Sequence, residues 1–340
     1  MITHRCLNDK RPGPVPEQET KLVPTICVLI PAFNEEASIA QTIEDYRSVF
    51  SKASIVVIDN NSTDRTAEIA GAHLRGPADK LLFEAQQGKG AAIKTGLSRS
   101  SADIYIMTDG DGTYAAKDAA HLVDKLLDRR YDMVVGDRIS GGAYSRQNRR
   151  AGHSWGNSFL SCYVSLMAGE RYKDVLSGLR VMSRPFVNSL DVRSDGFQLE
   201  TELNIVAAYI RASVAESPIS YSPRSEGSNS KLRTVRDGIR IAWFALLNWI
   251  SFYPLQPFGI LASIAFAISL GLGIKILSVY LALGAMSYAS TAIAAASAGL
   301  VGLQAVFTGL MLKISTRGAR RQEVARLVEM RRQWNAAIDA

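Results

Sequence analysis

Residues 102–130 read ADIYIMTDGDGTYAAKDAAHLVDKLLDRR. A short apolar run ends at Met107, a loop of aspartates and glycines follows, and a helix-like stretch closes the segment: strand, loop, helix. The same order appears upstream in TICVLIPAFNEEASIAQTIEDYRSVF (25–50), in SIVVIDNNSTDRTAEIA (54–70) and in KLLFEAQQGKGAAIKTGL (80–97), and a further apolar run, YDMVVGDR (131–138), follows. In the second unit the NST triplet supplies candidate helix-capping residues. Short continuous apolar strands alternating with helices predict an α/β fold with a mostly parallel sheet covered on both faces. In such sheets ligands bind at the carboxyl ends of the strands. Glu35, Asp59, Asp109, Asp111, Asp137 and Arg138 all fall at those ends. Their coincidence on one rim points to a site.

The apolar content is uneven. The chain has 340 residues, 47% hydrophobic and 21% charged, which is enough for a sizeable core. From Phe258 to Leu312 it is almost purely apolar. Residues 1–24 form a polar, proline-punctuated extension with no apolar signal core, so the N-terminus is expected in the cytosol. Cys6, Cys27 and Cys162 have neither metal nor redox spacing and read as reduced thiols. The net charge of +7 is concentrated at RQNRR (146–150), at KLRTVRDGIR (231–240) and after Lys313. Two of these clusters flank apolar segments, which favours a membrane over nucleic acid as the basic surface's partner. No aromatic platform or zinc-finger spacing supports nucleic-acid binding.

The C-terminal third is organised for a membrane. SPRSEGSNSKLRTVRD (222–237) reads as a mobile loop, and residues 233–253 as an amphipathic helix lying in the interface. After Pro254 and Pro257, residues 257–313 contain two apolar stretches, each of the roughly twenty residues that span a bilayer, joined by a turn near Gly284 to Tyr288. Arg233, Arg236 and Arg240 precede this hairpin, and Lys313, Arg317, Arg320 and Arg321 follow it, while the joining turn has no Lys or Arg; the positive-inside rule then places both ends in the cytoplasm. Lys275 reads as snorkelling toward the outer interface. The glycine- and alanine-rich second span suits close packing, within the chain or in a homo-oligomer. Residues 314–340 are expected to form a basic cytoplasmic helix at the membrane surface.

The loop TDGDGTY (108–114) is not an EF-hand. Counted from Asp109, Tyr114 stands where that loop needs Gly and Ala120 where it needs Glu. A solvated turn does not require further carboxylates on the same rim without a compensating cation. Two close carboxylates without His or Cys favour a hard divalent ion, Mg²⁺ or Mn²⁺, that keeps positions open for phosphate oxygens. QQGKGAAIK is not a P-loop, because Phe83 stands in place of the first glycine. Gly88 and Gly90 either bring amides to a ligand or form a helix-start turn. Glu200 and Glu202 read as solvated helix surface.

IPAFNEE, VVIDNNSTDRT, TDGDGTY and GDR, in this order, resemble the nucleotide-sugar-binding half of family 2 glycosyltransferases, the inverting GT-A fold. DVLSGLRV, GFQLETEL and YSPRSEGSNSKLRTVRDG resemble the polyprenyl-phosphate branch, relatives of dolichol-phosphate mannose synthase. The resemblance implies a GT-A domain over residues 25–232 that takes a nucleoside diphosphate sugar, UDP preferred over GDP, and a polyprenyl phosphate acceptor. It implies that Pro31, Phe33, Glu35, Asp59 and Asp109 hold the donor nucleotide and that Asp109 and Asp111 hold the metal. Asp111, Arg138, Arg149 and Arg150 are the implied catalytic set. Lys89, Arg224, Ser230 and Lys231 would serve the diphosphate and acceptor phosphate. Thr113 stands where relatives often carry Gln, and EGSNSK has one residue more than the mannose synthases. Neither the usual general-base pair nor the Q-x-x-R-W of processive synthases is present, and a phosphate acceptor, already anionic, does not require the base.

Overall fold

The computed structural model describes residues 24–140, 161–166, 172–196, 198–223, 243–244, 246–284 and 288–339. Arg149, Arg150, Arg224, Ser230, Lys231 and the first half of the expected interfacial helix lie outside the described residues. Strands β1 (Ile26–Ala32), β2 (Ser54–Asp59), β3 (Lys80–Phe83), β4 (Ile104–Met107), β5 (Met133–Asp137), β6 (Arg180–Ser183) and β7 (Val214–Pro218) form one sheet in the order β3-β2-β1-β4-β6-β5-β7. The ladders are parallel except where β6 runs antiparallel between β4 and β5. The helices are α1 (Ile39–Val49), α2 (Thr66–His73), α3 (Lys89–Ser98), α4 (Ala116–Arg129), α5 (Arg184–Val187), α6 (Leu199–Tyr209), α7 (Leu255–Leu283) and α8 (Ala289–Asp339).

Strand periodicity divides the core. Val28 and Ile30 of β1 join Ile55, Val57, Ile104 and Ile106 under α1 and α4, while Cys27 and Leu29 join Val56, Ile58, Tyr105 and Met107 under α3 and α6. Both faces are therefore apolar and covered. This is why the strands read as continuous runs of apolar residues. The insertion of β6 brings its first residue, Arg180, into register with Met107 of β4 and Val135 of β5. The loop before β6 thereby reaches the rim where β1, β2, β4 and β5 end.

Two features differ from expectation. The cap of α2 does not come from the NST triplet: the helix begins at Thr66, and Asp64 accepts its amide at 3.0 Å. The triplet is occupied instead with bridging neighbouring loops. The basic C-terminal segment is also no separate helix at a membrane surface, because α8 runs unbroken for 51 residues from the second apolar stretch to Asp339. Its last turns dock on the sheet domain: Leu327 and Trp334 are buried one in each core layer, and Arg331 is ion-paired to the buried Asp132 just before β5. Within residues 320–338, Leu327 and Trp334 are the buried side chains, and removing their apolar area from water favours the docking.

α7 and the first part of α8 pack as an antiparallel hairpin long and apolar enough to cross a membrane, with few of their apolar residues buried in the protein. Small residues form the seam. A side chain at Gly302 would strike Phe266 and one at Gly309 would press on Phe258, and Ser269 donates to the Ala295 carbonyl at 2.8 Å. Gly302, Gly309 and Ala295 of α8 thus lie on the contact with α7.

Candidate active site

The rim is assembled by loops that hydrogen-bond to one another. Asn34, in the left-handed region at φ 53°, donates its amide to Ser62 Oγ at 3.1 Å and accepts the Thr63 amide on its side-chain oxygen at 2.8 Å. The Glu36 amide donates to the Asp64 carboxylate, the Glu36 carboxylate accepts the Arg65 amide, and the Glu35 amide donates to Thr66 Oγ1 at 2.8 Å. The motifs after β1 and β2 are therefore two sides of one polar zipper. Asn60 extends it, donating to the Glu84 and Gln86 carbonyls and accepting the Gly88 amide at 2.7 Å. Asp59, buried at the end of β2, accepts the Ser62 amide.

The aspartate loop is gripped from α1. Tyr46 donates to Thr108 Oγ1 at 2.8 Å, and Ser38 and Thr42 both donate to the Gly110 carbonyl, at 2.8 and 3.3 Å. Burial raises the Tyr46 hydroxyl well above the ordinary tyrosine range, so it remains a neutral donor. Gly112 turns the chain at φ 74°, and Thr113 donates its amide and hydroxyl to Asp111 Oδ1 at 3.2 and 2.7 Å. Asp111 is thus oriented by its own loop, while Asp109 leans the other way.

Asp109 meets Lys89. The Lys89 ammonium lies 2.5 Å from Asp109 Oδ1 and 2.6 Å from Glu200 Oε1. Burial acts against its charge, but the two carboxylates outweigh this and hold its pKa above the ordinary lysine range. Glu200 Oε2 is buried and, among the described residues, has no hydrogen-bond partner. Gly178 closes this cluster from below. A Cβ there would lie 2.7 Å from Asp109 Oδ2 and 2.8 Å from Lys89 Nζ, and its amide donates to Tyr114 Oη at 2.8 Å. Gly88 and Gly90 serve the helix-start turn of α3: Cβ atoms there would overlap the Asp195 and Ser194 carbonyls, and the Ala91 amide binds the Asp195 oxygen at 3.0 Å.

The rest of the rim is made of charges that are paired or hydrogen-bonded. Arg138 forks onto Asp174 through Nε and Nη2 at 2.7 and 2.8 Å, with Tyr221 beneath its guanidinium. Asp137 accepts the Ile139 and Ser140 amides. Pro31, next to last in β1, lies with its carbonyl beside Gly110, and Phe33 is partly exposed on the loop that follows. The structure therefore unites Glu35, Asp59, Lys89, Asp109, Asp111 and Arg138 on one rim.

Two residues there, Asp174 and Gly178, were not singled out from sequence, and Glu200 was read as solvent-facing. The solvated reading of Glu200 and Glu202 is wrong. Both are buried, and Glu202 accepts the Arg193 and Ser194 amides at 2.8 and 2.9 Å. The signal was present, because α6 carries apolar residues around its whole circumference, the mark of a buried helix.

The donor set fits a hard cation. Asp109 and Asp111 are oxygen ligands only, and among the described residues no three His, Cys, Asp or Glu side chains converge into a closed metal cage. A pair of carboxylates leaves coordination positions for a ligand's phosphate oxygens. The Lys89 ammonium already sits on Asp109 as a cation would.

Known proteins resemble this chain in sequence and in fold. Residues 27–188 match the family model described as glycosyl transferase family 2. The chain is 31% identical over 312 residues to glycosyltransferase AglJ of Haloferax volcanii, covering 90% of this chain and 98% of that one. It is 29% identical over 202 residues to a dolichyl-phosphate hexose transferase of the same organism, covering 59% of this chain and 84% of the relative. Among solved structures, glucosyl-3-phosphoglycerate synthase from Mycobacterium tuberculosis, in complex with Mn²⁺ and UDP-glucose, superposes with a TM-score of 0.52 at 23% identity over 66% of this chain and 79% of its own. At that identity the likeness concerns the fold.

Proposed function

The chain belongs to glycosyl transferase family 2, and from that premise we propose that it is a membrane-anchored inverting transferase. It moves a sugar from a nucleoside diphosphate sugar, UDP preferred over GDP, to a polyprenyl phosphate at the cytoplasmic leaflet. The observation that carries this reading is the union, in one chain, of the Asp109–Asp111 rim with an apolar hairpin tied back to the sheet domain by α8. A long-tailed acceptor explains why a sheet domain should carry such an anchor. The relative named as a dolichyl-phosphate hexose transferase supports the acceptor class.

The residues divide the work. Glu35, Asp59 and the loop zipper around Asn34 and Asn60 shape the pocket for the nucleoside. Asp109 and Asp111 would hold Mg²⁺ or Mn²⁺, which supplies charge neutralisation for the departing diphosphate. Lys89 places a fixed cation at the same end of the cleft. Arg138, oriented by its fork onto Asp174, would add a guanidinium charge at the phosphate end of the rim. Arg149, Arg150, Arg224, Ser230 and Lys231 complete the phosphate-binding set in this reading. The acceptor phosphate is already anionic, so attack on the anomeric carbon needs positioning rather than deprotonation.

One observation favours a second reading, transfer to a glycan or glycolipid hydroxyl. Such an acceptor needs a base, and Glu200 places a buried carboxylate oxygen without a hydrogen-bond partner in the described site. A relative named low-salt glycan biosynthesis hexosyltransferase Agl6, 30% identical over 234 residues, lies in the same direction.

A single assay separates them. Purified full-length protein with Mn²⁺ is offered labelled UDP- and GDP-sugars and either short-chain polyprenyl phosphate or a polyprenyl-linked glycan. Metal-dependent label in the phosphate lipid, retained within tenfold by Glu200→Gln, supports the first reading. Label only in the glycan, lost by roughly 10²-fold or more in Glu200→Gln, supports the second. Nucleotide binding without transfer to either acceptor overturns both.

A further inference from the structure

The donor rim is not the only concentration of charge. Where α7 begins and α8 leaves the apolar hairpin, a pocket of about 710 Å³ opens between the two helices and the end of α6. Its walls carry Arg211, Lys313, Arg317, Arg320 and Arg321, and none of the described residues lining it is acidic. Phe252, Pro254 and Leu255 line it from the side on which α7 begins. Five cations around an apolar wall are costly to keep together without a counter-charge.

The pocket is built rather than incidental. Arg320 is fixed in place: its Nε donates to the Tyr209 carbonyl at 2.7 Å, and its guanidinium lies over the rings of Tyr209 and Tyr253, at 5.2 and 5.5 Å from their centroids. Arg211 sits just past α6 in the left-handed region, at φ 56°, closing the helix with the paired bonds Arg211 N to Ala208 O and Ala212 N to Ala207 O. Glycine normally occupies that position. Here an arginine takes it and joins the pocket wall. Among the described residues, Arg211, Lys313, Arg317 and Arg321 have no ion-pair partner. Glu323, on α8, is not among the residues that line the pocket.

We propose that this pocket binds the phosphate head group of an anionic membrane lipid, with the lipid's chains lying along the hairpin. The inference rests on the membrane-anchored reading above. Its position argues against the reacting acceptor as occupant: Glu200 begins α6 at the donor rim and Arg211 follows its end, so the two are about 16 Å apart along the helix. A phosphate held here cannot attack a sugar held there. The occupant is a lipid that fixes the exit angle of α8, which in turn carries Leu327 and Trp334 into the core. Basic pockets between spanning helices on the cytoplasmic side have the chemistry for such head groups.

The test uses full-length protein in detergent and native mass spectrometry, with short-chain phosphatidylglycerol, phosphatidylcholine and short-chain polyprenyl phosphate as separate probes. The expected result is one phosphatidylglycerol retained per chain, little phosphatidylcholine, and at least tenfold weaker phosphatidylglycerol retention in the triple variant Lys313→Gln/Arg317→Gln/Arg321→Gln. Mn²⁺-dependent UDP affinity should be unchanged in that variant, and a Lys313→Arg/Arg317→Lys/Arg321→Lys variant should retain the lipid. Equal retention of phosphatidylcholine, retention unaffected by the Gln triple, or loss in the charge-conserving variant would overturn the proposal. Retention of polyprenyl phosphate alone would assign the pocket to the acceptor and overturn it equally. Carbonate extraction of membranes tests the anchor separately: both proteins stay in the pellet if the hairpin is embedded, whatever the pocket binds.

Discussion

Gly178→Ala should damage catalysis while sparing the fold. Gly178 is not at positive φ, so its backbone accepts alanine. The new Cβ would stand 2.7 Å from Asp109 Oδ2, 3.1 Å from Asp109 Cγ and 2.8 Å from the Lys89 ammonium. To restore ordinary contact the carboxylate must retreat by roughly 0.7 Å. A displacement approaching 1 Å in a positioned group costs up to about 10²-fold in rate, so kcat/KM should fall about 10- to 100-fold, or ~1.4–2.7 kcal/mol of transition-state stabilisation. Stability should scarcely change, because the smaller unfolded-state entropy of alanine, about 0.4–1 kcal/mol, offsets the local crowding. The assays are Mn²⁺-dependent transfer of labelled sugar, Mn²⁺-dependent UDP affinity, and thermal unfolding in detergent. A variant with wild-type kcat/KM and UDP affinity would refute the placement of Asp109 as a ligand whose position matters. Lost activity with a collapsed melting temperature would instead make Gly178 a folding residue.

Asp111→Ala should abolish Mn²⁺-dependent turnover by at least ~10²-fold with the fold retained, measured by the same transfer assay and by circular dichroism; substantial activity without that carboxylate would remove it from the metal pair. Lys89→Met leaves Asp109 and the buried Glu200 without their shared cation, which should cost about 3 kcal/mol. In thermal unfolding without metal this is a fall of about 6–12 °C, and Mn²⁺ with UDP should restore more stability to the variant than to the parent. Trp334→Ala empties a buried site where α8 meets the sheet and should cost about 3–5 kcal/mol. Limited proteolysis should then cut the last turns of α8 in the variant and not in the parent.

The alternation of apolar strands and helices, read along residues 25–138, was sufficient to give the α/β class, the mostly parallel sheet and the rim on which Glu35, Asp59, Asp109 and Asp111 meet. Those properties follow from local periodicity and from where strands end, and both are written in contiguous residues. The apolar stretches before and after Gly284 likewise announced the hairpin by length and composition. What lay beyond reach was everything set by contact between distant segments. That Lys89 bridges Asp109 to Glu200 depends on α3, the aspartate loop and α6 converging over a separation of more than a hundred residues. That β6 inserts antiparallel between β4 and β5 is written in no local periodicity, yet it sets Gly178 against Asp109. Glu200 and Glu202 looked solvated because glutamate usually is; the apolar circumference of α6 announces a buried helix, but their partners, Lys89 and the Ser194 backbone, are set only by packing. The tail of α8 reads as a basic surface helix from its charges. The groove that receives Leu327 and Trp334, and the buried Asp132 that receives Arg331, exist only once the sheet has formed.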